Sequence, residues 1–295
     1  MWLENVVARI EGGLGNQLFQ YAAARSLADR LGCGLQLDIR AIHVNGDRPF
    51  QLGLYNIRAN ILDASRAAEL PEVRSSRLGR IKSRLSQRFP TVFSFPAFWP
   101  RGFVFDPRFA RISKPSYLIG YWQTEKYFKW NRERLLSDIQ LVSSPRSGAE
   151  YIQQIRGTTS VALHIRRGDY VSKTSAAAIH GICDIAYYAR ALEDLGKKIS
   201  GIHVFVFSDD LEWSRQNLHF DFPVTFVDNS GPESTQIDLE LMRHCKHHIV
   251  ANSSFSWWGA WLAQAQGQLV YAPIKWFSDS DMDSSDVVPH NWIRL

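Results

Sequence analysis

Apolar positions along this chain fall into two alternating kinds of segment. Residues 6–10, 35–39, 117–122, 161–165, 202–207, 224–227, 248–251 and 269–271 are short runs of mostly apolar residues, the pattern of strands buried on both faces of a parallel sheet. Between them lie segments with helical spacing: 18–31, a stretch from 123 that ends before Pro145, 184–195, a turn near Leu211, 236–245 and 255–265. In the first of these helices Leu18, Tyr21, Ala22, Leu27 and Leu31 form the expected buried side, and Gly32 and Gly34 close it. Strand and helix in alternation predict an α/β protein with mostly parallel, doubly wound sheets. The pattern breaks between Leu141 and Gly157, at Ser143-Ser144-Pro145-Arg146-Ser147-Gly148, which predicts two domains, 1–150 and 151–295.

The first strand leads into Gly12-Gly13-Leu14-Gly15-Asn16-Gln17, predicted as a turn before the helix. A glycine turn there lets backbone approach a phosphate at the helix N-terminus. Asp38 closes the second strand, where a dinucleotide-binding protein holds ribose, so an NAD-dependent oxidoreductase is one reading. Its fingerprint is incomplete, because Leu18 stands where the third glycine belongs. Glycines used only for a tight turn are the plain alternative.

Three strand ends in the second half carry polar clusters. His164-Ile165-Arg166-Arg167-Gly168-Asp169 follows one strand, and a guanidinium there suits a phosphate because its fork of donors matches two oxygens. Alternatively the Arg and Asp residues pair with each other. Ser208-Asp209-Asp210 follows the next strand; its carboxylates suit a metal, sugar and base hydroxyls, or a helix cap. Asn252-Ser253-Ser254-Phe255-Ser256 opens a helix, where hydroxyls and backbone donors make an anion site. Three such clusters at successive strand ends describe a nucleoside diphosphate site.

Composition narrows the classes. A formal charge of +5 suits an anionic small ligand or a membrane surface and is too small to imply nucleic acid. Cys33, Cys183 and Cys245 are odd in number and in no metal-ligand spacing, which argues for a reducing, cytoplasmic compartment. No signal peptide and no membrane-spanning run are visible. Arg74, Arg77, Arg80, Lys82, Arg84 and Arg88 surround Leu78, Ile81 and Leu85 at helical spacing. That basic helix is either a solvated face or a peripheral contact with an anionic membrane or acidic partner. The aromatics of 89–109 fill core or stack on sugar rings.

Taken together, GGLGNQLFQYA (12–22), GYWQTEKYF (120–128), HIRRGD (164–169), HGICDIAYY (180–188), FSDD (207–210) and NSSFSWWGAW (252–261) resemble, in order, the motif set of the α-1,2-fucosyltransferase family. The resemblance implies two facing Rossmann-like domains, GT-B-like, and inverting transfer of fucose from GDP-fucose to the 2-hydroxyl of a galactose-terminated glycan. The better comparison is with bacterial members, which lack the membrane anchor of animal ones. It further implies that Arg166 grips the β-phosphate, with Ser253, Ser254, Ser256 and their amides on the other oxygens. Asn252 and Phe255 stand in the same motif, and Asp209 and Asp210 join the substrate-binding set. His164 and Asp238 would recognise ribose and guanine, while Gly13, Gly15, Asn16 and Gln17 would close on the diphosphate. Asp169 is the candidate base, His180 its alternative, and no metal or other cofactor is expected. A catalytically silent sugar-binding protein is the third reading beside the transferase and the oxidoreductase.

Overall fold

Runs of valine, leucine and isoleucine become the strands of two parallel sheets in the computed structural model, which describes residues 4–45, 48–70, 96–143, 148–167, 181, 183–229, 231, 233–279 and 281–295. Two compact units divide between Val142 and Ser143 rather than at 150. The reason is the helix Ala149–Gly157, whose Ile155 is buried with Ile237 and Leu241 of the second unit. The predicted basic helix of Arg74 to Arg88 lies outside the described residues, as do Gly168, Asp169 and His180.

The first unit contains β1 (Val6–Arg9), α1 (Leu14–Leu31), β2 (Leu35–Asp38), α2 (Arg40–Asn45), β3 (Asn60–Ile61), α3 (Ala64–Glu69), β4 (Ala97–Phe98), β5 (Tyr117–Leu118) and α4 (Arg132–Asp138). Its sheet is parallel throughout, in the order β3-β2-β1-β5-β4. The first helix begins four residues before the predicted start. Gly13 is extended (φ −74°, ψ 172°) and takes the cap position, and its carbonyl accepts from the amides of Asn16 and Gln17. Gly15, Asn16 and Gln17 are therefore helical, not part of the turn. At the other end Gly32 adopts φ 67°, the left-handed stop that glycine makes without strain. A single buried side was expected of this helix, yet it is buried nearly all round, Gln17, Gln20 and Ser26 included. Those polar groups need internal partners, and two find them: Gln20 pairs with the Glu11 backbone in both directions, and Gln17 bonds Gly12, Pro49 and Gln51.

Several aromatic residues of 98–128 fill core. Trp122 packs on Phe98, Phe109 and Tyr127 with ring centroids 5.9, 5.5 and 5.0 Å apart.

The second unit runs α5 (Ala149–Gly157), β6 (Thr159–Ile165), α6 (Ile185–Lys198), β7 (Ile202–Ser208), α7 (Leu211–Asn217), β8 (Val224–Phe226), α8 (Ser234–His244), β9 (His247–Ile249), α9 (Ser254–Leu262), β10 (Val270–Ala272) and β11 (Ile293–Arg294). The sheet order is β11-β10-β9-β6-β7-β8, again all parallel. Strand β11 is only two residues long and carries no pattern the sequence could show. Along β6 the side chains alternate between two cores. Val161, Leu163 and Ile165 join Tyr187, Leu192 and Leu195 of α6, while Ala162 faces Phe205, Ile237 and Met242. No helix among the described residues is long and apolar enough to cross a membrane.

Candidate functional site

From β6 the chain of the second unit steps outward to β7 and β8 on one side, and β9, β10 and β11 follow on the other. The crevice beyond the carboxyl ends of β6 and β9 is thus the switch point of the sheet, the place where open α/β sheets bind ligands. Residues 164–167 leave β6 there and 252–256 leave β9.

Strand register decides how the charges meet. Ile165 lies beside Ser208, and one further step each places Arg166 by Asp209 and Arg167 by Asp210. Arg166 Nη1 is 2.9 Å from Asp209 Oδ2, and the other oxygen of Asp209 accepts from the Arg167 amide at 2.8 Å. The strand alternation then separates the two arginines. Arg167 continues the face that carries Leu163 and Ile165. Its guanidinium lies 3.7 Å over the ring of Trp213 on α7, with Asp210 Oδ2 3.9 Å from its Nε. Asp210 also caps α7 by accepting from the Trp213 amide at 3.1 Å. Arg166 shares its face with His164. Trp213 was missed in the sequence, although its position three residues after a capping Asp was a usable signal.

His164 is buried at 6% exposure, and its Nδ1 has no hydrogen-bond partner among the described residues. Its ring packs against Phe255, centroids 5.7 Å apart. Burial, and then the charge of Arg166, push its pKa down to about 3, with Asp209 opposing, so the imidazole is neutral at physiological pH. A buried ring nitrogen without a partner is costly unless a ligand meets it.

The N-terminus of α9 supplies the other wall. Ser253 caps the helix by accepting from the Phe255 amide, and Ser256 Oγ turns back to the Ser253 carbonyl at 3.4 Å. The rest of that motif is packing. Trp257 and Trp258 are fully buried, and a Cβ on Gly259 would stand 2.8 Å from the Met242 Cβ, so glycine lets α9 lie close on α8. Asp238 of α8 accepts from Asn229 at 2.7 Å, and burial lifts its pKa to about 7.

Some residues expected at the ligand make contacts within the protein. Gln17 is fully buried and donates to the carbonyls of Gly12 and Pro49 while accepting from the Gln51 amide, so its side chain holds the loop and cannot reach a diphosphate. Asn16 accepts from Gln123 and backs onto Gly12, whose φ is 79°. Asn252 is buried, donates to the carbonyls of Gly181 and Trp276, and accepts from the Cys183 thiol. It ties three loops together beneath the site. Asp38 likewise binds Arg40 through both oxygens and accepts from the Tyr117 hydroxyl at 2.7 Å, which leaves the oxidoreductase reading without its ribose ligand.

Two parallel α/β units, the second with arginines, a buried histidine and a helix N-terminus at its switch point, define a GT-B-like fold. Solved structures share the fold: the fucosyltransferase NodZ from Bradyrhizobium superposes with TM-score 0.54 at 19% identity, over 88% of this chain and 93% of that one. POFUT1 in complex with GDP-fucose gives 0.50 at 12%, over 91% and 98%. The chain belongs to glycosyl transferase family 11, whose family model matches residues 98–295. It is 34% identical to an α-1,2-colitosyltransferase of Escherichia coli, over 98% of each chain. With the O-antigen biosynthesis glycosyltransferase WbnK of Escherichia coli the identity is 31%, over 97% of this chain and 99% of that one. With the galactoside 2-α-L-fucosyltransferase Sec1 of Mus musculus it is 25%, over 89% and 65%.

Proposed function

We propose that this glycosyltransferase moves L-fucose from GDP-fucose to the 2-hydroxyl of a terminal galactose, with inversion at the fucose anomeric carbon. The observation that carries the reading is the meeting of Arg166, the unpartnered nitrogen of His164 and the N-terminus of α9 at one switch point. That set suits a nucleoside diphosphate. Its relatives' names supply the sugar: two transfer colitose or fucose in α-1,2 linkage or to position 2.

In the reaction the bond from the anomeric carbon to the phosphate oxygen breaks, and a bond to the acceptor oxygen forms. The leaving GDP gains negative charge, and donors already aimed at that charge lower the barrier most. Arg166 meets the β-phosphate, and the Ser253, Ser254 and Ser256 region of α9 meets the remaining oxygens. His164 and Asp238 hold the nucleoside, and the first unit binds the acceptor. The acceptor's proton passes to a general base, assigned on sequence to Asp169, with His180 as the alternative. Transfer proceeds without a metal, because Asp209 and Asp210 are committed to the arginines and to the cap of α7.

A second donor is favoured by the similarity to a colitosyltransferase, since colitose is L-fucose without its 3-hydroxyl. Incubation with GDP-fucose and GDP-colitose in parallel, on a panel of galactose-terminated acceptors, tests both. Methylation analysis should find the new sugar at position 2, and exhaustive chelation should leave the rate unchanged. Transfer to another hydroxyl defeats the linkage. Activity lost to chelation and restored by Mg²⁺ or Mn²⁺ defeats the metal-free assignment.

A further inference from the structure

The carboxyl edge of the first sheet holds a second group of side chains that the chemistry above does not use. Strand β1 is central, with β2 on one side and β5 on the other, so the crevice beyond β1 and β5 is the switch point of this sheet. Val7 pairs with Tyr117 and Ala8 with Leu118; the same register carried onward places Glu11 by Tyr121. Val7, Tyr117 and Ile119 share one core, and alternation puts Arg9, Glu11 and Tyr121 on that same face, beyond its end.

The side chains confirm that placement. Arg9 Nη2 lies 3.0 Å from Glu11 Oε2, with only 14% and 17% of the two side chains exposed. Burial raises the Tyr121 pKa, the Glu11 carboxylate adds to the rise, and Arg9 opposes it. All three groups therefore stand in one another's field. Phe103 stacks beside Tyr121 at 6.5 Å and 14°, yet 41% of the tyrosine surface stays exposed. The next residue, Trp122, has φ 56°, the one non-glycine residue with positive φ among those described. That turn sends its own ring back into core and leaves Tyr121 at the edge.

We propose that Tyr121 and the Arg9–Glu11 pair form the subsite for the acceptor hexose, a proposal that rests on the transferase reading above. A pyranose presents an apolar face of C–H groups and a rim of hydroxyls. The exposed aromatic ring meets the face, while a guanidinium and a carboxylate, held 3.0 Å apart, donate to and accept from adjacent hydroxyls. The pair is neutral as a whole, and its carboxylate opposes a diphosphate. This edge thus suits an uncharged sugar.

The test is saturation-transfer NMR on the full chain with methyl β-galactoside as the probe, and a thermal shift with GDP as the check on folding. Wild type and Tyr121→Phe should saturate the galactoside ring protons, and Tyr121→Ala should weaken binding by about tenfold. If Tyr121→Ala fails to fold, Glu11→Gln decides in its place, with weakening of about threefold expected. No saturation in the wild type, or affinity unchanged in the folded variant, overturns the subsite. Failure of the transferase reading shows separately, as no turnover of GDP-fucose or GDP-colitose by the wild type.

Discussion

At the carboxyl edge of the first sheet, Asp38 is met by Arg40 and Tyr117, Arg9 by Glu11, and Gln17 by three backbone groups. At the same edge of the second sheet, His164 Nδ1 and Arg167 Nε are buried without hydrogen-bond partners among the described residues, and α9 points its N-terminus at the crevice. Both edges carry arginine and carboxylate. They differ in how those groups are used. In the first unit Asp38 and Gln17 are spent on internal partners; in the second the imidazole of His164 is buried with its Nδ1 unmet among the described residues. A buried polar atom without a partner is tolerated where a ligand supplies one.

The largest effect that separates the two edges should come from Arg166. Lysine keeps the charge but loses the planar fork. Arg166→Lys should stay folded by circular dichroism and lose kcat by about 10²–10³, as for removal of one strong transition-state donor. Arg167→Lys should be milder, because that guanidinium packs on Trp213 on the opposite face. A dead Arg167→Lys beside an active Arg166→Lys would reverse the assignment.

Asp38→Asn should act on the other edge and on stability alone. Burial by itself would raise this carboxyl's pKa, but the bonds from Arg40 and Tyr117 hold it below the usual range. Losing the charge that receives them should cost about 2 kcal/mol in urea unfolding, with GDP affinity unchanged. Weakened ligand binding at unaltered stability would mean that Asp38 is part of a binding site, and the contrast between the edges would collapse.

The smallest effect sharpens the comparison through pH. His164 has a folded pKa of about 3 against about 6.5 for the free side chain. Between those values the unfolded chain binds the extra proton, so stability is complete above about pH 6.5 and falls as pH drops toward 3, by at most about 1.4 kcal/mol per unit. His164→Gln should show a shallower acid slope than wild type in unfolding measured from pH 7 to pH 4. Equal slopes would mean that this imidazole is not held neutral by burial.

Much of this was legible in the residues. The strands 6–10, 161–165 and 202–207 were readable because burial on both faces demands near-continuous apolar runs, a demand local enough to see in one segment. The three polar clusters were placed at strand ends for the same reason. Gln17 and Asn252 looked like ligand contacts because a polar side chain in a glycine turn or at a helix start reads alike whether it meets a substrate or a carbonyl. Their partners, Pro49 and Gln51 for one, Gly181 and Trp276 for the other, are distant in sequence.

The sequence by itself determined the alternation of strand and helix, the two-unit plan and the chemistry available at each strand end. Those depend on side-chain type and spacing along one segment. Tertiary structure alone decided which groups answer one another. The register of β6 on β7 sets Arg166 and Arg167 against Asp209 and Asp210 in turn, and the pairing of β1 with β5 puts Tyr121 in the field of Glu11. Residues 42 positions apart became neighbours only when the backbones paired, because hydrogen-bond register, not local pattern, fixes which side chains face each other.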